Sequence, residues 1–200
     1  MPHGLAFYRH LIVWPWCAWG LYWIISAAAT KTTQRRESLG SRMAHIVPLV
    51  VGGVLIAWRD IPWAWLALRL WPRSALAYFA GVALLYAGLA FAVWARVHLG
   101  RNWSGSVTVK EGHELIRSGP YGYVRHPIYT GLLTAVLGTA LASGTLRAAI
   151  GLVIITVSLM RKIGTEEAFM RETFPDSYPR YSEEVPALVP FTKFRRSAPR

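Results

Sequence analysis

Long uncharged apolar runs constrain this chain more than any other feature. A helix needs about 20 mostly apolar residues to cross the hydrocarbon core of a bilayer. Runs near that length, bounded by charge, occur at 7–30, 44–58, 74–96, 127–143 and 145–163. The balance of 54% hydrophobic to 16% charged residues over 200 positions excludes an ordinary soluble domain. A net charge of +12 at first suggests nucleic acid, but the Lys and Arg residues lie between apolar runs instead of forming one basic face. Anionic lipid headgroups are the counter-charge this pattern predicts, and no nucleic-acid partner is expected.

The runs differ in character. The first is rich in Trp, and its Ala27-Ala28-Ala29 end imitates a signal-peptide cleavage site. Its length and its tryptophans argue for a retained helix. The second contains Pro48, Gly52 and Gly53, which neighbouring helices must accommodate. Residues 60–72, with Trp63, Trp65 and Trp71 among Arg69 and Arg73, read as an interfacial segment, because Trp favours the headgroup level. Gly81, Ala83, Ala87 and Gly88 give the third run small residues for close helix packing. The fourth and fifth are separated only by Ser143-Gly144 and predict a helical hairpin, with Pro127 in a first helical turn, where a missing N–H costs nothing. The expected fold class is all-α: an integral membrane bundle of about five transmembrane helices, in two parts, 1–96 and 97–200.

Positively charged loops stay cytoplasmic. Five spans place Lys31, Arg35, Arg36, Arg42, Arg96, Arg101, Lys110, Arg117, Arg125 and everything from Arg161 onward on one side, against Arg9, Arg59, Arg69, Arg73 and Arg147 on the other. The N-terminus is therefore expected outside, and the polar segments 97–126 and 164–200 in the cytosol, flanking the hairpin.

Arg125 and His126 at the mouth of the fourth run, with Lys162 and Glu166 at the end of the fifth, form a charged cluster at a membrane boundary, where ionisable residues are expensive unless paired or functional. Each has a plain reading. Arg125 marks the positive edge, His126 caps a helix, and Lys162 with Glu166 is an i,i+4 pair. The adjoining Gly119-Pro120-Tyr121-Gly122 turn, which lets backbone approach a ligand closely, favours a site.

The ordered set Ser118-Gly119-x-Tyr121, Arg125-His126-Pro127-x-Tyr129-x-Gly131 and Glu166-Glu167 resembles the isoprenylcysteine carboxyl methyltransferase family, as does the tail pattern Phe174, Tyr178, Tyr181, Val185-Pro186 and Pro190-Phe191. The match covers roughly 99–191. The resemblance implies an S-adenosylmethionine pocket on the cytosolic side, closed by the C-terminal segment and joined to a lipid-facing substrate tunnel. It implies that His113, Glu114, Leu115, Ile116 and Tyr121 line the cofactor, that His126, Pro127, Ile128 and Tyr129 continue the pocket, and that Glu166 receives the cofactor's ammonium group. A carboxylate facing an ammonium makes a charge-assisted hydrogen bond, which suits that role. Where eukaryotic members carry Gln ahead of this loop Ser106 stands, and where they carry Arg a turn before the paired glutamates Lys162 stands.

Methyl transfer from a sulfonium is an in-line displacement that demands alignment and exclusion of water. A carboxylate nucleophile is already ionised at neutral pH and needs only a cation to aim it. Arg125 and Lys162 are the expected cations, acting on an isoprenylcysteine-like or other lipid-like acceptor. A small-lipid N-methyltransferase is the first alternative, and would need Glu167 or a tyrosine as base. A sterol-type reductase using a nicotinamide cofactor is the second, and a non-catalytic scaffold the third. Cys17 is the single cysteine, so no intrachain disulfide forms, and the six histidines show no metal-ligand spacing.

Overall fold

The computed structural model describes residues 2–27, 33–36, 38–58, 63–100, 108–110 and 115–192. Among them are six α-helices: α1 (Pro2–Ala27), α2 (Leu39–Ala57), α3 (Ala75–Leu99), α4 (Pro127–Ser143), α5 (Leu146–Thr173) and α6 (Ser177–Glu184). The helical expectation holds, with one addition. Strands β1 (Thr33–Arg36) and β2 (Thr108–Lys110) form a short antiparallel ladder.

Local chemistry sets the boundaries. Ser38 caps α2 by accepting from Ser41 N at 3.3 Å, so this helix begins five residues before the apolar run of 44–58, at Leu39, and reaches 19 residues. Ser74 caps α3 in the same way through Ala77 N. Gly144, in the left-handed region at φ +63°, ends α4 and returns the chain directly into α5. Instead of stopping near 163, α5 runs on to Thr173, because i,i+4 pairs such as Glu167–Arg171 favour helix past the apolar stretch. By length and composition α2 and α3 can each cross a membrane, while α4 is apolar but shorter. Leu76, Ile24, Val153 and Val157 stand exposed among many other large apolar side chains, the outer surface of a membrane protein.

Glycines place the helices. Gly81 and Gly88 on α3 face Gly138 and Gly131 on α4, each pair two turns apart, so the two backbones meet with no side chain between them. Gly52 on α2 and Gly151 on α5 form a second such contact. Ala83 and Ala87, read as part of the same packing face, point away from it and are exposed. Helix α1 lies on the α3–α4 pair through Ile12, Trp16 and Trp19, and Trp16 Nε1 donates to Thr139 Oγ1 at 3.1 Å.

The two ends of the bundle collect the segments that the charge pattern grouped. At one end β1 and β2 bring 33–36 to 108–110. At the other, Arg69 pairs with Thr145 through Leu70 N to Gly144 O and Leu146 N to Leu68 O, both 2.9 Å. There Arg147 Nη1 caps the end of α2 by donating to Leu55 O and Ile56 O.

Candidate functional site

The extension of α5 beyond the apolar stretch projects Lys162, Glu166 and Glu167 toward the N-terminal mouth of α4, where Arg125, His126 and Tyr129 wait. His126 holds the N-cap position of α4, but its ring makes no capping hydrogen bond. Its ring sits between the two glutamates, with Nδ1 3.5 Å from Glu166 Oε2 and Nε2 3.2 Å from Glu167 Oε1, and stacks on Tyr129 with planes 11° apart. Tyr129 Oη donates to Glu166 Oε1, and Lys162 Nζ lies 4.0 Å from the same oxygen and 5.5 Å from the Tyr129 ring centre. Arg125 donates through Nε (3.0 Å) and Nη2 to Glu167 Oε1, whose other oxygen accepts from Arg171 at 3.1 Å.

These contacts decide the charges. Burial opposes ionisation of both glutamates and is outweighed. The hydrogen bond from His126, then Lys162 and Tyr129, hold Glu166 below the usual carboxylate range. Hydrogen bonds from His126 and Arg125 bring Glu167 down to about 2. His126 shows the converse: burial disfavours its charge, and its bonds to Glu166 and Glu167 raise its pKa nonetheless. Within the cluster both glutamates are biased toward the carboxylate and His126 toward the imidazolium. Glu166 keeps 22% of its side-chain surface accessible, whereas Glu167 keeps 11% and Arg125 8%, so Glu166 is the less enclosed of the two carboxylates.

The signs give a stability prediction. A raised His126 pKa supplies stabilisation present below its ordinary 6.5 and lost as pH rises through the folded value. Depressed glutamates supply stabilisation present above 4.5 and lost as pH falls through theirs. The apparent thermal midpoint is expected to be highest between pH 4.5 and 6.5 and to drop on either side, and His126→Gln is expected to flatten the alkaline limb. A midpoint still climbing at pH 8 would show that His126 is not an imidazolium in the folded chain.

The Gly119–Gly122 turn packs beside this cluster. Gly119 has φ +57°, and a Cβ there would lie 2.7 Å from the His98 ring, so only glycine allows His98 to lie flat on the turn and bond Ser118 Oγ at 2.9 Å. Tyr121 is buried with Ala95 and Ile128, alongside Ile116 and Tyr129. Leu115 instead packs on Tyr178, Tyr181 and Val185. Pro127 and Ile128 are buried in the first turn of α4. The structure thus gathers Ile116, Tyr121, Ile128, Tyr129, His126, Lys162 and Glu166 around one corner, while His113 and Glu114 lie outside the described residues. The sequence reading does not single out His98, because a ring that packs on a turn 20 residues away leaves no spacing signal. Burial, with Glu167 nearby, pushes Tyr178 to about 12, and burial also raises Tyr121 and Tyr181, so these phenols stay protonated.

Residues 81–172 match the isoprenylcysteine carboxyl methyltransferase family. A protein-S-isoprenylcysteine O-methyltransferase of Schizosaccharomyces pombe is 34% identical over 99 residues, 48% of this chain and 42% of that protein. A cobalt-zinc-cadmium resistance protein of Cupriavidus metallidurans is 30% identical over 95 residues, 46% of this chain and 43% of the other. The chain thus spans about half the length of these relatives or less. A solved structure of a eukaryotic intramembrane Ras methyltransferase superposes with a TM-score of 0.50 at 21% identity, covering 78% of this chain and 54% of that one, which establishes a shared fold. The matched residues run from within α3 to the penultimate residue of α5.

Proposed function

We propose that this chain, with its α3–α5 core of the isoprenylcysteine carboxyl methyltransferase family, transfers a methyl group from S-adenosylmethionine to the carboxylate of an amphiphile held in the membrane. An S-prenylated cysteine terminus is the acceptor that the relatives' names suggest. The observation that carries this reading is the ionised Glu166, the less enclosed of the paired carboxylates, set beside the Tyr129 and His126 rings. A ligand that carries an ammonium group fits that acceptor, and Glu166 would accept from the ammonium. When bound, S-adenosylmethionine supplies the methyl group. The residues of the chain bind, orient and exclude water, with Lys162 as the cation at the rim of the same corner.

A carboxylate acceptor fits better than an amine. An amine must lose a proton, and the bases available for that, Glu167 or a tyrosine, are poorly placed: Glu167 is held near 2 by His126 and Arg125, and the tyrosines are pushed up. The charge bias puts this end of the bundle in the cytosol with five crossings and the N-terminus outside. Purified protein given methyl-labelled S-adenosylmethionine and an S-farnesylated cysteine with a free carboxyl should form a base-labile ester. A rate that rises steeply with pH on an amine lipid, with no ester formed, would replace this reading by N-methylation.

A further inference from the structure

Four of the five N–H donors of the Arg125 guanidinium have partners: Nε and Nη2 reach Glu167 Oε1, and Nη1 reaches both Ser182 O (3.0 Å) and Val185 O. An acceptor carboxylate could pair with it through two N–H groups only by displacing one of these partners. The segment it holds is the chain that follows α6. Arg125 N donates to Pro186 O at 2.9 Å, His126 N to Ala187 O at 3.0 Å, and Thr130 Oγ1 to Leu188 O at 2.7 Å. Tyr181 Oη anchors the same segment on Tyr121 O at 2.7 Å, and Arg117 meets Glu184 at 2.6 Å. Two residues beyond Leu188, Pro190 and Phe191 complete an apolar cleft of about 290 Å³ with Phe91, Trp94, Tyr123 and Thr130.

We infer that Arg125 is a positioning residue, a latch that binds residues 182–188 against the mouth of α4 through Glu167 and two backbone carbonyls. The latch acts on both sides of the site. The strap it fixes pairs with the backbone of His126, whose ring orients Glu166, and the same strap ends as the wall of the apolar cleft. A freed strap leaves Glu166 poorly aimed, so cofactor affinity falls in proportion to the closed population.

The test measures backbone deuterium uptake over 177–190 together with calorimetric binding of S-adenosylhomocysteine; only the second readout rests on the methyltransferase reading. Arg125→Ala should raise uptake over 182–188 and weaken binding about tenfold or more, raising KM for S-adenosylmethionine by a similar factor while kcat falls less. Arg125→Lys, which keeps the charge but offers no fork, should recover part of both, and it decides the matter if the alanine variant does not fold. Unchanged uptake with affinity within about twofold and turnover lost would overturn the latch and make Arg125 the cation that aims the acceptor. If the parent protein binds no S-adenosylhomocysteine, the methyltransferase reading fails, and uptake alone decides the latch.

Discussion

Glu166→Gln is expected to weaken S-adenosylhomocysteine binding about 10- to 100-fold, the loss that follows from turning a charge-assisted hydrogen bond to an ammonium into a neutral one. The change preserves shape, and the amide oxygen can still accept from Tyr129 Oη. What it removes is the negative charge that faces Lys162 and His126 and that a cationic ligand must find. His126 loses one of the two carboxylates that raise its pKa, so binding in the variant should also become more sensitive to pH above neutrality. Glu183→Gln, an exposed position outside the cluster, is the control and should bind as the parent does. Equal affinity of Glu166→Gln and parent would remove Glu166 from the cofactor site.

Much of this architecture was legible because lipid limits the choices. The stretch of 74–96, uncharged until its last residue, had to become a helix, and the Gly144 turn fixed the α4–α5 connection to the residue. The start of α2 lies ahead of the apolar run because Ser38 caps the helix, so that Arg42 falls in its first turns. The helix packing was only half visible. Gly81 and Gly88 repeat at the two-turn spacing that Gly131 and Gly138 also show, but small size alone cannot separate them from Ala83 and Ala87, which the helical period turns to another face.

The site divides along similar lines. Glu166, His126 and Tyr129 carry side-chain chemistry that a motif can display, and the structure brings them together. The sequence assigns Arg125 to the acceptor, because an arginine beside a histidine at a membrane edge reads as a cation open to a ligand. Its partners at Ser182 and Val185 are backbone carbonyls, which leave no signature in a sequence. The extended α5 had the same effect on Glu167: one residue from Glu166, it faces the strap and is sealed with Arg125. Adjacent residues on a helix point about 100° apart, and that rotation separates the less enclosed carboxylate from the structural one.

Gly88→Val is expected to be the most damaging single change outside the charged cluster. A Cβ at Gly88 would lie 2.5 Å from both Ala135 N and Gly131 O, backbone atoms of α4 that cannot swing aside. The helices must therefore separate along their length, and the reciprocal contact at Gly81 and Gly138 opens with them. Overpacking a tight interior costs about 1–3 kcal/mol or more. In a chain of this size that lowers an apparent thermal midpoint by roughly 5–10 °C, or prevents accumulation altogether. The loss should reach the site, because the mouth of α4, which carries His126 and Tyr129, is held against the end of α3 through Ile128 and Ala95. Gly53→Ala supplies the contrast: it adds a Cβ on a neighbouring helix with nothing within 4 Å, and should leave the midpoint unchanged or slightly raised. If the two variants melted alike, backbone contact at the α3–α4 seam would not be what positions the mouth of α4, and the aromatic packing of Trp16 and Trp19 from α1 would have to carry that role.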